Sequence, residues 1–374
     1  MRVLQISKFY PPVMGGIEAV AWELTEGLNR AGVRTDVLCS AQAWRGTRET
    51  ATTGYEVCRA GRWGMLLSTS MTPSMPAQLA RMARSADLVH LHMPDPMAAA
   101  ALWMVKPRVP VVVHWHSDVI RQRRALRLYE PLQTWVLQNA AAIIATSPPY
   151  AESSQPLRAW RAKVAVIPIG ISDNHSTACS VKAGALRQRF RGRHIVFALG
   201  RMTYYKGFEV LIDAAAALPD DCAVLIGGEG EMLEHYRTLV ARRGLAGKVH
   251  LLGHINDDEL ASHFEACDIF CMSSTLRAEA YGVAMLEAMV MGKPIVATDI
   301  SGSGVPWVNE HGVTGLNVAA GDSAALAAAL RGLLLDDDTR QRLGQGARQR
   351  YERDFQAARM TEQTLNLYRR LSAA

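Results

Sequence analysis

Two carboxylates, Glu279 and Glu287, stand eight residues apart in a run from Arg277 to Pro294 that also holds Tyr281, Gly282 and Gly292. Before it, Cys267-Asp-Ile-Phe-Cys-Met-Ser-Ser274 is a compact apolar run ending in small polar residues, which predicts a short buried strand. Pro294-Ile-Val-Ala-Thr298 predicts the next strand, and the stretch between them predicts a helix opening near Gly282 and stopping at Gly292. Glu279 then lies in the strand-to-helix loop, with Glu287 roughly 12 Å further along at about 1.5 Å per residue. The helix N-terminus between them, Gly282-Val283-Ala284, offers backbone N–H groups and the positive end of the helix dipole to an anion. Carboxylates on either side of an anion site suit a diphosphate bearing hydroxyls at both ends, the layout of a nucleotide sugar. Two solvated glutamates around an ordinary crossover helix would show the same spacing, so context must decide.

The context is a second set of groups at other strand ends. His194-Ile-Val-Phe-Ala-Leu-Gly200 predicts a strand, and Arg201 and Lys206 follow it, flanked by Gly200 and Gly207. Two cations leaving one strand tip can grip a diphosphate, Arg with its fork and Lys as a point charge; a plain surface pair is the other reading. At the start of the chain, the strand Arg2–Ile6 runs into a Pro-rich turn closed by Gly15-Gly16. A helix over 17–30 follows, with Ile17, Val20, Ala21, Leu24 and Leu28 at helical spacing, and then a strand over 33–39. Adjacent glycines let backbone N–H groups approach a ligand, or they simply make a tight turn. No Gly-x-Gly-x-x-Gly is present, which weakens a dinucleotide reading. The strand over 87–92 places His90 and His92 on one face, and Val111–His116 carries His116 and Asp118 to a carboxyl end, where open α/β sheets collect functional groups.

Glu279-x7-Glu287 with Tyr281-Gly282 and Gly292-Lys-Pro294, joined to Gly200-Arg201-x4-Lys206-Gly207, resembles the signature of glycosyltransferase family 4 over nearly the whole chain. The resemblance implies a retaining, nucleotide-sugar-dependent hexosyltransferase of the α/β GT-B fold, two doubly wound Rossmann-like domains facing a central cleft. It implies a catalytic set of Glu279, His116, Arg201 and Lys206. Glu279 would hold hydroxyls of the donor sugar, Glu287 those of the ribose, and His116 would face the sugar. Gly200, Arg201, Lys206 and the 282–284 backbone would hold the diphosphate, with Gly15, Gly16 and Tyr281 also lining the donor site. Ile169 and Ser172 stand where the family usually has Asn and Asp, which puts a role for those two side chains in doubt. No metal and no other cofactor is expected, because two cations already face the diphosphate. Same-face attack with the leaving phosphate taking the acceptor's proton is the expected route; a covalent intermediate on Glu279 is the alternative.

These groups need two sheets to hold them, and 374 residues suffice for two cores. The expected division is an acceptor domain at 1–170, a nucleotide-sugar domain at 171–355, and a helix at 356–374 that in the family returns to the first domain. Further strands are expected over 141–146, 164–168, 223–226, 249–254 and 315–318. Helices are expected over 323–335 and 339–371, with Asp336–Asp338 a solvated turn. Residues 41–85 read as a loosely ordered surface, either a plain loop or an apolar and basic contact with lipid around Trp63. The six cysteines lack metal-ligand spacing and read as core thiols.

Charge is uneven. Residues 1–170 carry 19 Lys/Arg against 11 Asp/Glu, while the remainder carries 22 against 24. A basic first half suits an anionic partner, and without a stacking platform or nucleic-acid module the expected partner is an anionic membrane surface rather than nucleic acid. The run Arg121–Arg127 is either a solvated helix face or, with Asp118, Arg121, Arg123 and Arg124, a site for the phosphate of a lipid-linked saccharide acceptor. No signal peptide is visible and no apolar stretch approaches about 20 residues, so the expected location is cytoplasmic, peripheral on the inner membrane. GDP-mannose is the favoured donor, in polysaccharide or lipopolysaccharide synthesis. A UDP-hexose donor, an epimerase on the same fold and a catalytically silent membrane scaffold remain as alternatives.

Overall fold

The computed structural model describes residues 1–13, 15–67, 69–119, 123–173 and 177–373, with the backbone alone at 123–127, 177–178 and 373. The chain forms two compact units, Met1–Ser172 with Ala357–Ala374, and Asp173–Gln356.

The first unit contributes β1 (Arg2–Ile6), β2 (Arg34–Ser40), β3 (Thr47–Thr50), β4 (Glu56–Ala60), β5 (Gly64–Leu66), β6 (Thr69–Met71), β7 (Leu88–Met93), β8 (Val111–Trp115), β9 (Ala142–Ala145) and β10 (Val164–Val166). Eight of these form one sheet in the order β10-β9-β8-β7-β1-β2-β4-β3, parallel except for β3, while β5 and β6 make a separate hairpin. Every residue of β7 and β9 is buried, as expected of parallel strands covered on both faces. β1 pairs with β2 on one side and β7 on the other. The chain therefore reverses its direction of travel there, which opens a crevice at the carboxyl ends of β1 and β7.

The second unit contributes β11 (His194–Leu199), β12 (Cys222–Gly227), β13 (Val249–Gly253), β14 (Ile269–Met272), β15 (Ile295–Asp299) and β16 (Gly315–Ala319). They lie in the order β13-β12-β11-β14-β15-β16, all parallel. Val196, Leu211, Ile212, Val224, Ile226, Ile269 and Leu330 are part of one core on this sheet. Here the reversal falls between β11 and β14, so the loops after those two strands meet.

Three expectations need correction. Residues 41–85 are not plain loop: they hold β3 to β6 and a helix over Met75–Met82. All four residues of β3 are exposed, so the strand has no apolar alternation by which to be recognised. The helix expected over 339–371 is two helices, Asp337–Asp354 and Ala357–Ala373. Phe355 leaves the helical path (φ −122°, ψ 19°) and buries its ring against Trp307 at 5.7 Å and Tyr281 at 6.4 Å. Asp336–Asp338 is a helix start rather than a turn: Asp336 Oδ1 accepts the Thr339 N–H at 3.0 Å, and the other two sit in the first turn. Among the described residues no helix is long and apolar enough to cross a membrane, and all six cysteines are buried.

Candidate functional site

In the second unit, the loop after β11 carries Gly200, Arg201 and Lys206, and the loop after β14 carries Glu279. Because β11 and β14 are neighbours, Lys206 Nζ reaches Glu279 Oε2 at 2.6 Å, with both side chains nearly buried (12% and 11% exposed). Ser274, at the end of β14, donates its hydroxyl to the same oxygen at 3.0 Å. Burial opposes the Lys206 ammonium most strongly, but the Glu279 carboxylate and Tyr205 together outweigh it and raise the amine above its ordinary value; the nearby Arg201 charge works the other way. A Cβ at Gly200 would lie 2.8 Å from Lys206 Cε, so a larger residue there would push the ammonium end of Lys206 aside. Arg201 is exposed at the same strand tip.

The loop holding Glu279 is laced to the loop after β15. Arg277 Nε donates to the Gly302 carbonyl at 3.0 Å, Gly304 N–H to the Ala280 carbonyl at 2.8 Å, and Ser303 Oγ to the Glu279 carbonyl. Gly282 then turns the chain into the helix Val283–Val290 with φ +82°, a left-handed conformation that favours glycine, and it supplies no capping side chain. The first-turn residues Val283 and Ala284 are partly exposed. Tyr281 is buried, its ring packed against Trp307 and Phe355. Glu287 projects from the same helix, and desolvation, with a smaller contribution from the Asp257 carboxylate, pushes its carboxyl up to about 7.

In the first unit, Gly15 and Gly16 are exposed at the start of the helix Gly16–Arg30, and Gly16 has open space where a Cβ would be. His116 is buried at the end of β8. Its Nε2 lies 2.8 Å from His92 Nδ1, and its ring stacks on His114 at 4.2 Å. The register pairs His92 with His114, so β7 and β8 bring four imidazoles, His90, His92, His114 and His116, onto one face. His90 Nδ1 meets the Tyr368 hydroxyl of the C-terminal helix at 2.5 Å. Burial drives all four histidines below their ordinary value, His114 to about 3. Nitrogens of His90, His92 and His114 lie within 4.8 Å of one another, the one group among the described residues spaced to hold a metal ion.

Asp118 is tied to neighbouring elements of the first unit. Its Oδ1 accepts from Trp115 Nε1 at 2.9 Å and Ser154 Oγ at 2.7 Å, and its backbone N–H donates to Tyr150 Oη at 2.6 Å. Oδ1 thus already holds two donors, and the side chain is half-buried. Arg121 lies outside the described residues, as do the side chains of Arg123 and Arg124, which open the helix Arg123–Asn139. Ser172 bonds Glu23 through both its N–H and its hydroxyl. The reading from sequence placed His90 and His92 on one strand face without giving either a role, and it did not single out Ser274, two residues past β14, or His114, whose meeting with them depends on strand register.

Comparison with known proteins bears on both units. Residues 187–350 match the family model described as glycosyl transferases group 1, and residues 15–170 match that of a glycosyl transferase 4-like domain. The chain is 32% identical over 374 residues to the O-antigen chain mannosyltransferase C of Escherichia coli, covering 98% of each. It is 33% identical over 359 residues to the D-rhamnosyltransferase WbpZ of Pseudomonas aeruginosa, covering 96% of this chain and 93% of the relative. Among solved structures it is similar to Anabaena HepE in complex with UDP-glucose (TM-score 0.79, 22% identity, 98% of this chain and 99% of that one). It is also similar to sucrose-phosphate synthase from Thermosynechococcus elongatus (TM-score 0.82, 21% identity, 100% and 99%).

Proposed function

This chain belongs to the group 1 glycosyl transferases, with the two Rossmann-like α/β domains of the GT-B fold, and we propose that it moves a hexose, with retention, from a nucleoside-diphospho-sugar to a lipid-linked saccharide. The observation that carries the donor side is the Lys206–Glu279 pair at 2.6 Å where the loops after β11 and β14 meet, with Gly282, three residues later, leading into the next helix. Arg201 and Lys206 are proposed to take up the charge that builds on the departing diphosphate, and the 283–284 backbone adds the helix-terminus contribution. Glu279 accepts hydrogen bonds from sugar hydroxyls and Glu287 from the ribose. His116 is proposed to hydrogen-bond a hydroxyl of the transferred sugar. The acceptor hydroxyl attacks the anomeric carbon on the face the diphosphate leaves, and a phosphate oxygen takes its proton. A Glu279 carboxylate already held by an ammonium and a hydroxyl is a poor covalent nucleophile, which favours this route over a glycosyl-enzyme. The reaction is proposed to need no resident metal, and chelator-treated protein should keep its activity.

Mannose from GDP-mannose is the favoured donor, supported by the Escherichia coli mannosyltransferase relative; a UDP-hexose is the second reading, supported by the UDP-glucose complex of a structural neighbour. We place the reaction in cell-surface polysaccharide synthesis on the cytoplasmic face of the inner membrane. The test is nucleotide release from GDP-mannose and UDP-glucose with and without membrane lipid extract. Extract-dependent release of one nucleotide supports the reading. Binding of a nucleotide sugar with neither release nor transfer would favour the silent scaffold.

A further inference from the structure

Trp44 and Trp63 are 68% and 78% exposed, an unusual state for so large an apolar ring. They leave adjoining backbone segments, tied by the Arg62 N–H to the Ala43 carbonyl at 2.8 Å and the Ala41 N–H to the Ala60 carbonyl at 2.7 Å. Both line a single cavity of about 600 Å³ at the carboxyl end of β4, together with Thr47, Arg48, Ser74 and Gln78. The Arg48 guanidinium is half exposed and fixed by a 2.7 Å bond to Gln78 Oε1. Arg59, which also borders the cavity, is spent on the Pro11 carbonyl and Glu49. Arg45 covers one face of the Trp44 ring, at 4.7 Å.

Aromatic faces beside a fixed guanidinium, a carboxamide and two hydroxyl side chains are the chemistry that recognises a saccharide. C–H faces of the sugar stack on the rings, and its hydroxyls meet the polar groups. Trp63 leads directly into the β5–β6 hairpin, whose Met65, Leu66 and Leu67 are 46%, 60% and 61% exposed. Leu67 stands at φ +48°, so an apolar side chain is presented to solvent from a conformation that leucine rarely adopts. A saccharide pocket followed in the chain by exposed apolar side chains fits one amphiphile, a sugar head joined to a lipid tail.

We propose that this cavity is the saccharide subsite of the acceptor, with the hairpin seated against the acceptor's lipid. The inference rests on the transferase reading and adds to it where the acceptor's head and tail are held.

The experiment titrates methyl and octyl α-glycosides of mannose, rhamnose and N-acetylglucosamine, the latter below their micelle thresholds, by saturation-transfer NMR and calorimetry. The proteins are wild type, Trp44→Ala, Trp63→Ala, and Leu66→Ser with Leu67→Asn, asparagine being tolerant of the left-handed turn. At least one octyl glycoside should bind wild type roughly tenfold more tightly than its methyl counterpart. Each tryptophan variant should lose roughly tenfold for both, and the hairpin variant only the octyl advantage. No glycoside binding by wild type, or unchanged affinity in both tryptophan variants, would overturn the proposal. Thermal stabilisation by nucleotide is measured on the same proteins. If it persists while glycoside binding fails, the subsite is wrong and the donor site stands; if wild type shows neither, the transferase reading falls as well.

Discussion

Lys206 and Glu279 are 73 residues apart in sequence and meet only because β11 and β14 are neighbours. Each is legible as part of a motif, but their ion pair is not, since strand order decides it. The same holds for the histidine stack, where the spacing of His90 and His92 is visible and their meeting with His114 depends on the β7–β8 register. Asp118 shows the reverse case, a motif residue whose carboxylate serves Trp115 and Ser154. The Lys206–Glu279 pair makes a stability prediction. Lys206→Ala leaves a nearly buried carboxylate unpaired and should cost about 3–5 kcal/mol in urea denaturation, and Lys206→Ala with Glu279→Ala should recover part of that. Glu279→Ala alone should nearly abolish transfer while nucleotide binding persists; wild-type turnover in that variant would remove its assigned role. Glu287 makes a pH prediction. Its folded-state carboxyl, at about 7, lies above its ordinary value of 4.5. The folded protein thus keeps a proton that the unfolded chain has lost between those values, and stability contributed by this group falls as pH rises across that window. In the proposed role its charged form would accept two ribose hydroxyls, where the protonated form must give one bond away. Nucleotide affinity should therefore rise as pH passes through about 7, and Glu287→Gln should flatten that rise.

At the scale of elements, the parallel strands were readable because burial on both faces makes them continuous apolar runs, as in Ala142–Ala145 and Cys222–Gly227. The outer edge of the first sheet was not, because an exposed strand such as Thr47–Thr50 is held by pairing with β4 rather than by its own pattern. The break at Phe355 was hidden for a different reason: its cause is a ring pocket made by Tyr281 and Trp307, remote in sequence. That pocket backs the Tyr281–Gly282 turn. Phe355→Ala should therefore cost about 3–5 kcal/mol by urea denaturation and also weaken nucleotide binding. Lost stability with undiminished binding would show that the turn holds its shape without the ring.

The whole molecule has two cores, so unfolding is expected in two transitions rather than one. The buried histidines belong to the first unit, and their sign is fixed. All four are neutral when folded, with values driven below the ordinary 6.5, whereas the unfolded chain takes up protons as pH falls through 6.5. Stability of that unit should be level above this value and decline below it, by up to about 1.4 kcal/mol per pH unit for each histidine. Melting curves at pH 8 and pH 5.5 would test it, and a first transition that does not move would refute it. The donor claim belongs to the other transition and is the central one. Melting is followed with GDP, UDP, ADP and dTDP, each beside its sugar conjugates, for wild type and for Arg201→Ala with Lys206→Ala. A ligand at 100 times its Kd adds about 2.7 kcal/mol to the state that binds it. The account predicts that one nucleotide raises the transition of Asp173–Gln356 and that the double variant loses the rise. No shift with any nucleotide at millimolar concentration, or an equal shift in the double variant, would contradict it.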